Sequence, residues 1–295
     1  MKKIKYLENE KKIKSAFPIG LCFTHKNTDY KVLNCGKAES PAGEPKTDIY
    51  LDLSVNNNFR KEIKISYKKT DADFLENKIR AERAKQIFGE NWELILSEST
   101  GSIKKKFENR KLIFYEKKVT TEAKKITLGW KFELMNKTSG ELSGQMQLTG
   151  QQKEDVYAGS NLSSEYKDSY VNGKKIKDSG IANFILIEDD VNEITAHQIL
   201  EGIIPIKEFI KNTEIYFACK ALNYRAIKDT WDGDRPLAVH VDWNAKGGLL
   251  TSKLVFDKPL QKKGNEIGKK LQSSLEKLNI SSTNFDDLRD IYRSG

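Results

Sequence analysis

Cysteine, histidine and methionine each occur only three times in the 295 residues. Cys22, Cys35 and Cys219 form no CxxC pair and leave one thiol over, which argues against a disulfide framework and the usual zinc spacings and fits a reducing compartment. His25, His197 and His240 are scattered without metal-ligand spacing, and no nucleophile accompanies them. Six prolines leave no room for a Pro-rich linker, and neither an internal repeat nor a low-complexity tract is present. No apolar run approaches the roughly 20 residues that cross a bilayer. The opening residues are basic but lack the apolar stretch of a signal peptide, so a cytoplasmic protein with no membrane partner is expected. P-loop, GxGxxG and nucleophile-elbow patterns are missing, which removes support for nucleotide hydrolysis and serine-type catalysis.

Charge is plentiful. Lysine and arginine number 51 against 42 acids, a net charge of +9, and the basic excess is clearest over residues 60–69 and 104–125. Such an excess supplies the sequence-independent attraction to phosphate on which nucleic-acid binding rests.

The order of elements reads as mixed α and β, which predicts an α/β protein with a central mixed β-sheet flanked by helices. The first forty residues suggest a helix or two plus irregular structure, ending in the Pro- and Gly-containing loop 40–46. Residues 48–55 and 61–68 both alternate apolar and polar side chains, and Asn56-Asn57-Asn58 between them is a turn signal, so a β-hairpin is expected. Residues 73–89 read as a helix, with Asp73 as cap, Glu76 completing a capping box and Gly89 at the end. Further strands are expected over 126–134, 183–187, 215–221 and 237–243, with helices to the end. Residues 1–295 are taken as one domain, its catalytic core at about 40–130 and its recognition elements at about 150–245.

Placing the hairpin turn at Asn57 sets Asp48 opposite Ser66. Ser66 and Lys68, two residues apart on a strand, share a face, so Asp48 and Lys68 converge at one end. Glu82 lies seven residues beyond Leu75, nearly two helical turns, close to the stripe of Leu75 and Ile79, where a carboxylate needs a partner or a metal. Two acids and an ammonium group are what phosphodiester hydrolysis requires, namely a hard metal ion held by carboxylates, an activated water and a cation near the developing charge.

Thr47-Asp48 followed by Ser66-Tyr67-Lys68 resembles the PD-(D/E)XK nuclease motif with serine in the usual acid's place. This variant is similar to the type II restriction endonucleases that recognise a central CCGG, where a glutamate in an Arg-x-Glu context on the next helix supplies the missing acid. Arg80-Ala81-Glu82 matches that context. The resemblance implies a restriction-endonuclease-like fold that cuts double-stranded DNA with Mg²⁺. Asp48 and Glu82 would bind the ion, Lys68 would orient or deprotonate the attacking water, and Ser66 would mark the vacated position. It also implies a homodimer or homotetramer, whose two-fold symmetry matches a palindromic target. The chain departs from the pattern in two places: proline stands at 45 rather than directly before Asp48, and the span from Asp48 to Ser66 is short. A structure-selective nuclease on the same core and a DNA-binding protein without the chemistry are the other readings.

A second triplet, Glu62-Ile63-Lys64, pairs near Asp52 toward the turn and is the fallback site, Asp52 with Glu62 and Lys64, unless it is only a salt-bridged strand face. For DNA contacts the polar, aromatic and basic loop around Asn223, Tyr224, Arg225, Lys228 and Arg235 is the first choice, with His240 as a structural or DNA-contacting residue. The plain alternative for that loop is a turn closing a hairpin.

Overall fold

The hairpin forms in the expected register. Strand β3 (Ile49–Val55) runs antiparallel to β4 (Phe59–Lys68), from Ile49 opposite Ile65 to Val55 opposite Phe59. Asn56 and Asn57 turn the chain with φ of 49° and 60°, the left-handed conformation that asparagine tolerates. The computed structural model describes residues 2–70, 72, 74–77, 79–117 and 122–294, and the chain divides into two compact units. Residues 1–73 and 148–214 make the first, and residues 74–147 and 215–295 the second. The expected catalytic core is therefore split at residue 73, and the expected recognition elements at residue 214.

In the first unit helix α1 (Lys2–Ser15) precedes β1 (Cys22–His25) and β2 (Thr28–Gly36). The opening forty residues thus hold two strands that were read as irregular. They form a hairpin turned by Lys26 and Asn27, both at positive φ. Strand β2 then pairs antiparallel with β3, and β4 pairs in parallel with β5 (Phe184–Ile187), Ser66 lying opposite Ile185. With β6 (Ile204–Pro205) at the far edge, the sheet runs β1-β2-β3-β4-β5-β6. It is mixed, because a parallel partner can only be reached by a crossover through residues 69–183.

The core of this unit fills one side of that sheet. Ile49, Leu51 and Leu53 of β3 and Ile63, Ile65 and Tyr67 of β4 are buried with Ile13 and Phe17 from α1 and its exit. Asn9, Ile13 and Phe17, spaced by four, form the buried line of α1. Helix α2 (Gly150–Ala158) starts at a Thr149 capping box, and α3 (Ala196–Gly202) starts at another on Thr195.

The second unit is built on a nine-stranded sheet around Lys125–Met135, which is buried along almost its whole length. Its neighbours are Tyr216–Arg225 and Val239–Lys246, both antiparallel to it. Strand Leu249–Val255 follows Val239–Lys246, where helices were expected, and helix Gly264–Lys277 comes only after it. Strand Phe74–Glu76 pairs with Lys125–Met135, so the expected helix over 73–89 begins only at Ala81 and spans Ala81–Phe88. Asp73, its expected cap, lies outside the described residues, and Arg80 occupies the cap position. Glu76 completes no capping box and instead pairs with Arg83 at 3.0 Å. No helix among the described residues is long and apolar enough to cross a membrane.

Candidate active site

Asp48 stands one residue before β3, and the sheet fixes it twice. Its amide donates to the Ile65 carbonyl at 2.8 Å, and its carboxylate Oδ2 accepts the Tyr67 amide at 2.8 Å. Ser66 is buried between these bonds. Lys68 ends β4, half-buried, and its carbonyl accepts the Glu188 amide. Among the described residues the Lys68 ammonium makes no hydrogen bond or ion pair. Its charge nonetheless acts on the Asp48 carboxyl, at the same end of the hairpin.

Helix α1 brings a residue that the motif reading missed. Asn9 donates to the Tyr67 hydroxyl at 2.8 Å, and that hydroxyl donates to the Glu188 carbonyl at 2.8 Å, which ties α1 to β4. The next residue, Glu10, is only 11% exposed in its side chain and accepts from Lys37 Nζ at 2.6 Å. Lys37 directly follows β2. Burial opposes its charge, but the hydrogen bond and charge of Glu10, with Asp48 and Glu44 nearby, outweigh that and hold its ammonium above the ordinary value. The signal for Glu10 was in the sequence: it stands three residues before Ile13 and seven before Phe17, on the helical stripe that packs inward.

The Asp48 carboxyl is pushed up to about 6. Burial is the main cause; Lys68 pulls it down, Glu10 pushes it up, and the Tyr67 amide and Lys37 pull it down. The metal-free folded chain therefore holds a proton that the unfolded chain, near 3.8, has released. The stabilising contribution of the protonated group is complete below the unfolded value and lost as pH rises through about 6. Asp48→Asn keeps the shape without the charge. In EDTA it is expected to match the wild type near pH 4 and to have the higher urea midpoint at pH 8; equal midpoints at pH 8 would show that ionising Asp48 carries no penalty.

A cleft of about 450 Å³ opens beside these groups, lined among others by Glu10, Lys37, Glu44, Thr47 and Asp48. Thr47 Oγ1 is buried there without a hydrogen-bond partner among the described residues. The cleft's oxygen donors include the carboxylates of Glu10, Glu44 and Asp48, a donor type that suits a small hard cation. No group of three or more His, Cys, Asp and Glu side chains that could hold a metal occurs among the described residues. A Mg²⁺ ion asks for only one or two protein carboxylates and completes its shell with water and substrate phosphate.

Glu82 belongs to the second unit, exposed in the first turn of Ala81–Phe88, whose buried face is Ala84, Ile87 and Phe88. It was expected on a stripe with Leu75 and Ile79. Leu75 is in a strand and Ile79 precedes the helix, so no helical turns connect them to Glu82.

In the fallback triplet Asp52 lies opposite Glu62, as expected, but both acids are engaged. Asp52 pairs with Arg60, Glu62 accepts from the Tyr50 hydroxyl, and Lys64 Nζ donates to the Asp178 carbonyl at 3.0 Å. The arrangement is a bonded strand face.

The expected DNA-contacting loop is a hairpin. Asn223, Tyr224 and Arg225 end the strand Tyr216–Arg225, and Thr230–Trp231 pairs back onto it. Asn223 Nδ2 donates to Asp232 at 3.0 Å, Arg225 Nε donates to Asp232 at 2.6 Å, and the Tyr224 hydroxyl donates to Asp229 at 2.6 Å. Lys228 is exposed in the turn and Arg235 is half-buried. His240 is buried in Val239–Lys246, and burial lowers its pKa; its Nδ1 has no partner among the described residues. Compared with known proteins, the chain finds no matching family model, curated protein or solved structure.

Proposed function

We propose that the chain is a Mg²⁺-dependent nuclease of the PD-(D/E)XK type that hydrolyses phosphodiester bonds of double-stranded DNA at a specific sequence, in the manner of a type II restriction endonuclease. The observation that carries this reading is the gathering of Asp48, Lys68 and Glu10 at one end of the β3–β4 hairpin, coupled through the Asp48 carboxyl. The surrounding order agrees with the mixed sheet that the resemblance implies: α1, four antiparallel strands β1–β4, and β5 parallel to β4.

Asp48 and Glu10 would hold the ion, which when bound supplies positive charge to a phosphoryl oxygen and acidity to a water. The protein's own part follows from the bonds described. The Tyr67 amide fixes the Asp48 carboxylate, and the bond from Lys37 aims Glu10. The Lys68 ammonium, without a hydrogen-bond or ion-pair partner among the described residues, would orient the attacking water and donate to the oxygen on which negative charge builds as the P–O3′ bond breaks. The attacking water gives up its proton to solvent, and the leaving 3′ oxygen takes one from it. One such constellation per chain fits a homodimer, with one site for each strand of the duplex.

A structure-selective nuclease on the same core is favoured by one observation, the internal bonding of Asn223 and Arg225, which removes the expected base-reading groups. Incubating the purified chain and Mg²⁺ with linear phage DNA and with a four-way junction separates the two. Discrete bands from the linear DNA are expected. Cutting confined to the junction supports the second reading, and binding to both without cutting removes the catalytic proposal.

A further inference from the structure

Among its described residues the first unit holds a pair of histidines that the nuclease chemistry does not use. His25 ends β1 at its turn into β2, and His197 lies in the first turn of α3. Their Nδ1 atoms face each other at 3.3 Å, although 172 residues separate them in sequence. His25 is 9% exposed and His197 is open to solvent. Phe23 packs its ring edge-to-face with His197 at 5.5 Å and stacks on Tyr30 at 5.4 Å, so the exposed imidazole is held from one side.

We propose that His25 and His197 form a two-histidine site for a borderline divalent transition-metal ion of the Zn²⁺ class. The distance is the main ground. As a hydrogen bond from one ring N–H to the other ring's nitrogen the contact would be a long one, beyond the roughly 2.7–3.2 Å that N–H donors keep to oxygen. The rings are tilted by 44°. Two nitrogens bound at about 2.0–2.1 Å to a tetrahedral ion stand about 3.3–3.4 Å apart, by the geometry of zinc sites. At the same bond length an octahedral ion brings neighbouring donors to about 2.9 Å. Imidazole also suits Zn²⁺, Ni²⁺ and Cu²⁺ rather than Mg²⁺, so this site and the oxygen site at Asp48 select different ions.

Two protein donors leave two tetrahedral positions for water or another donor, on the side where His197 meets solvent. Each imidazole binds as the neutral tautomer with its proton on Nε2. The bound ion joins the β1–β2 hairpin to α3 across a long stretch of chain, and such a clip stabilises the fold to the extent that it binds the folded state more tightly than the unfolded one.

The test uses the full chain, stripped with EDTA, dialysed and titrated with ZnCl₂, with Co²⁺ as a spectroscopic probe. A visible band of tetrahedral Co²⁺ and a Zn²⁺-dependent rise in the thermal midpoint, reversed by EDTA, are expected. His197→Ala and His197→Gln, both at an exposed position, should abolish that rise and raise the Zn²⁺ dissociation constant by more than about tenfold, the least that loss of an outer-shell partner costs a metal site. Cys22→Ser and Asp48→Asn should leave the Zn²⁺ response intact, which separates this site from the exposed thiol and from the nuclease centre. Unchanged Zn²⁺ affinity in His197→Ala, or loss of the Co²⁺ band in Cys22→Ser or Asp48→Asn, overturns the proposal. DNA cleavage plays no part in the readout, so the outcome is independent of the nuclease reading.

Discussion

Lys68→Ala is expected to lower Mg²⁺-supported cleavage by about 10²–10⁴-fold, the range for losing a positioned catalytic donor, while duplex binding stays within about threefold. The size follows from where the side chain sits. Among the described residues the Lys68 ammonium has no competing ion pair, so its hydrogen bonds are available to water and to the phosphoryl oxygens. Removing it also removes the charge that pulls the Asp48 carboxyl down, so Asp48 ionises less readily and holds a cation less well. Both losses fall on the reaction and neither on the folded core, since the backbone of residue 68 keeps its place through the Glu188 amide. Arginine is no conservative substitute, because its planar fork replaces a compact point charge. Single-turnover cleavage of supercoiled plasmid, paired with a gel shift in Ca²⁺, reads the two effects separately. Lys64→Ala is the internal control: Lys64 donates to the Asp178 carbonyl beside a fully bonded Asp52–Glu62 face and should stay active. An active Lys68→Ala with a dead Lys64→Ala would move the site to the other end of the hairpin.

The hairpin was legible because two independent signals agreed. Alternation of Ile63, Ile65 and Tyr67 fixed which face turns inward, and three asparagines fixed where the chain reverses, so the register had no freedom left. The strands at 125–135, 184–187 and 216–225 were visible for the same reason, as short runs of β-branched and aromatic residues. The hairpin of Cys22–His25 and Thr28–Gly36 carried the same kind of signal, Tyr30 and Val32 alternating with Asp29 and Lys31, but polar residues dominate it and the reading passed over it. The parallel pairing of β4 with β5 could not be read, since it joins residues more than a hundred positions apart through packing alone. The helix at 73–89 failed at its start because Phe74–Glu76 finds a partner strand, and tertiary pairing overrides a capping pattern. That failure removes the helical argument for Glu82. Counting turns from Leu75 put Glu82 on an inward stripe, whereas the chain between them is not helical.

Glu10→Gln should therefore cost more than Glu82→Gln. Glutamine at 10 keeps the length of the side chain and an oxygen for Lys37, so the bond that holds α1 against the end of β2 persists while the charge disappears. Of the two acids assigned to the ion, only Asp48 would then remain, and its carboxyl is already reluctant to ionise. Loss of a direct ligand exceeds the 10–100-fold typical of an outer-shell partner, so cleavage at fixed Mg²⁺ should fall by more than about 100-fold, with a matching rise in the Mg²⁺ concentration needed for half-maximal rate. Glu82→Gln changes an exposed residue of the second unit and should remain within about threefold of the wild type. Thermal midpoints of both variants, measured without metal, guard against a folding defect. Glu10 makes its one hydrogen bond to a partly exposed lysine, and removing its negative charge relieves the neighbouring Asp48, so Glu10→Gln should be no less stable above pH 6. The opposite ranking, an active Glu10→Gln and an inactive Glu82→Gln, would return the second acid to the helix Ala81–Phe88, as the resemblance to the CCGG enzymes implies, and leave Glu10 as no more than the partner of Lys37.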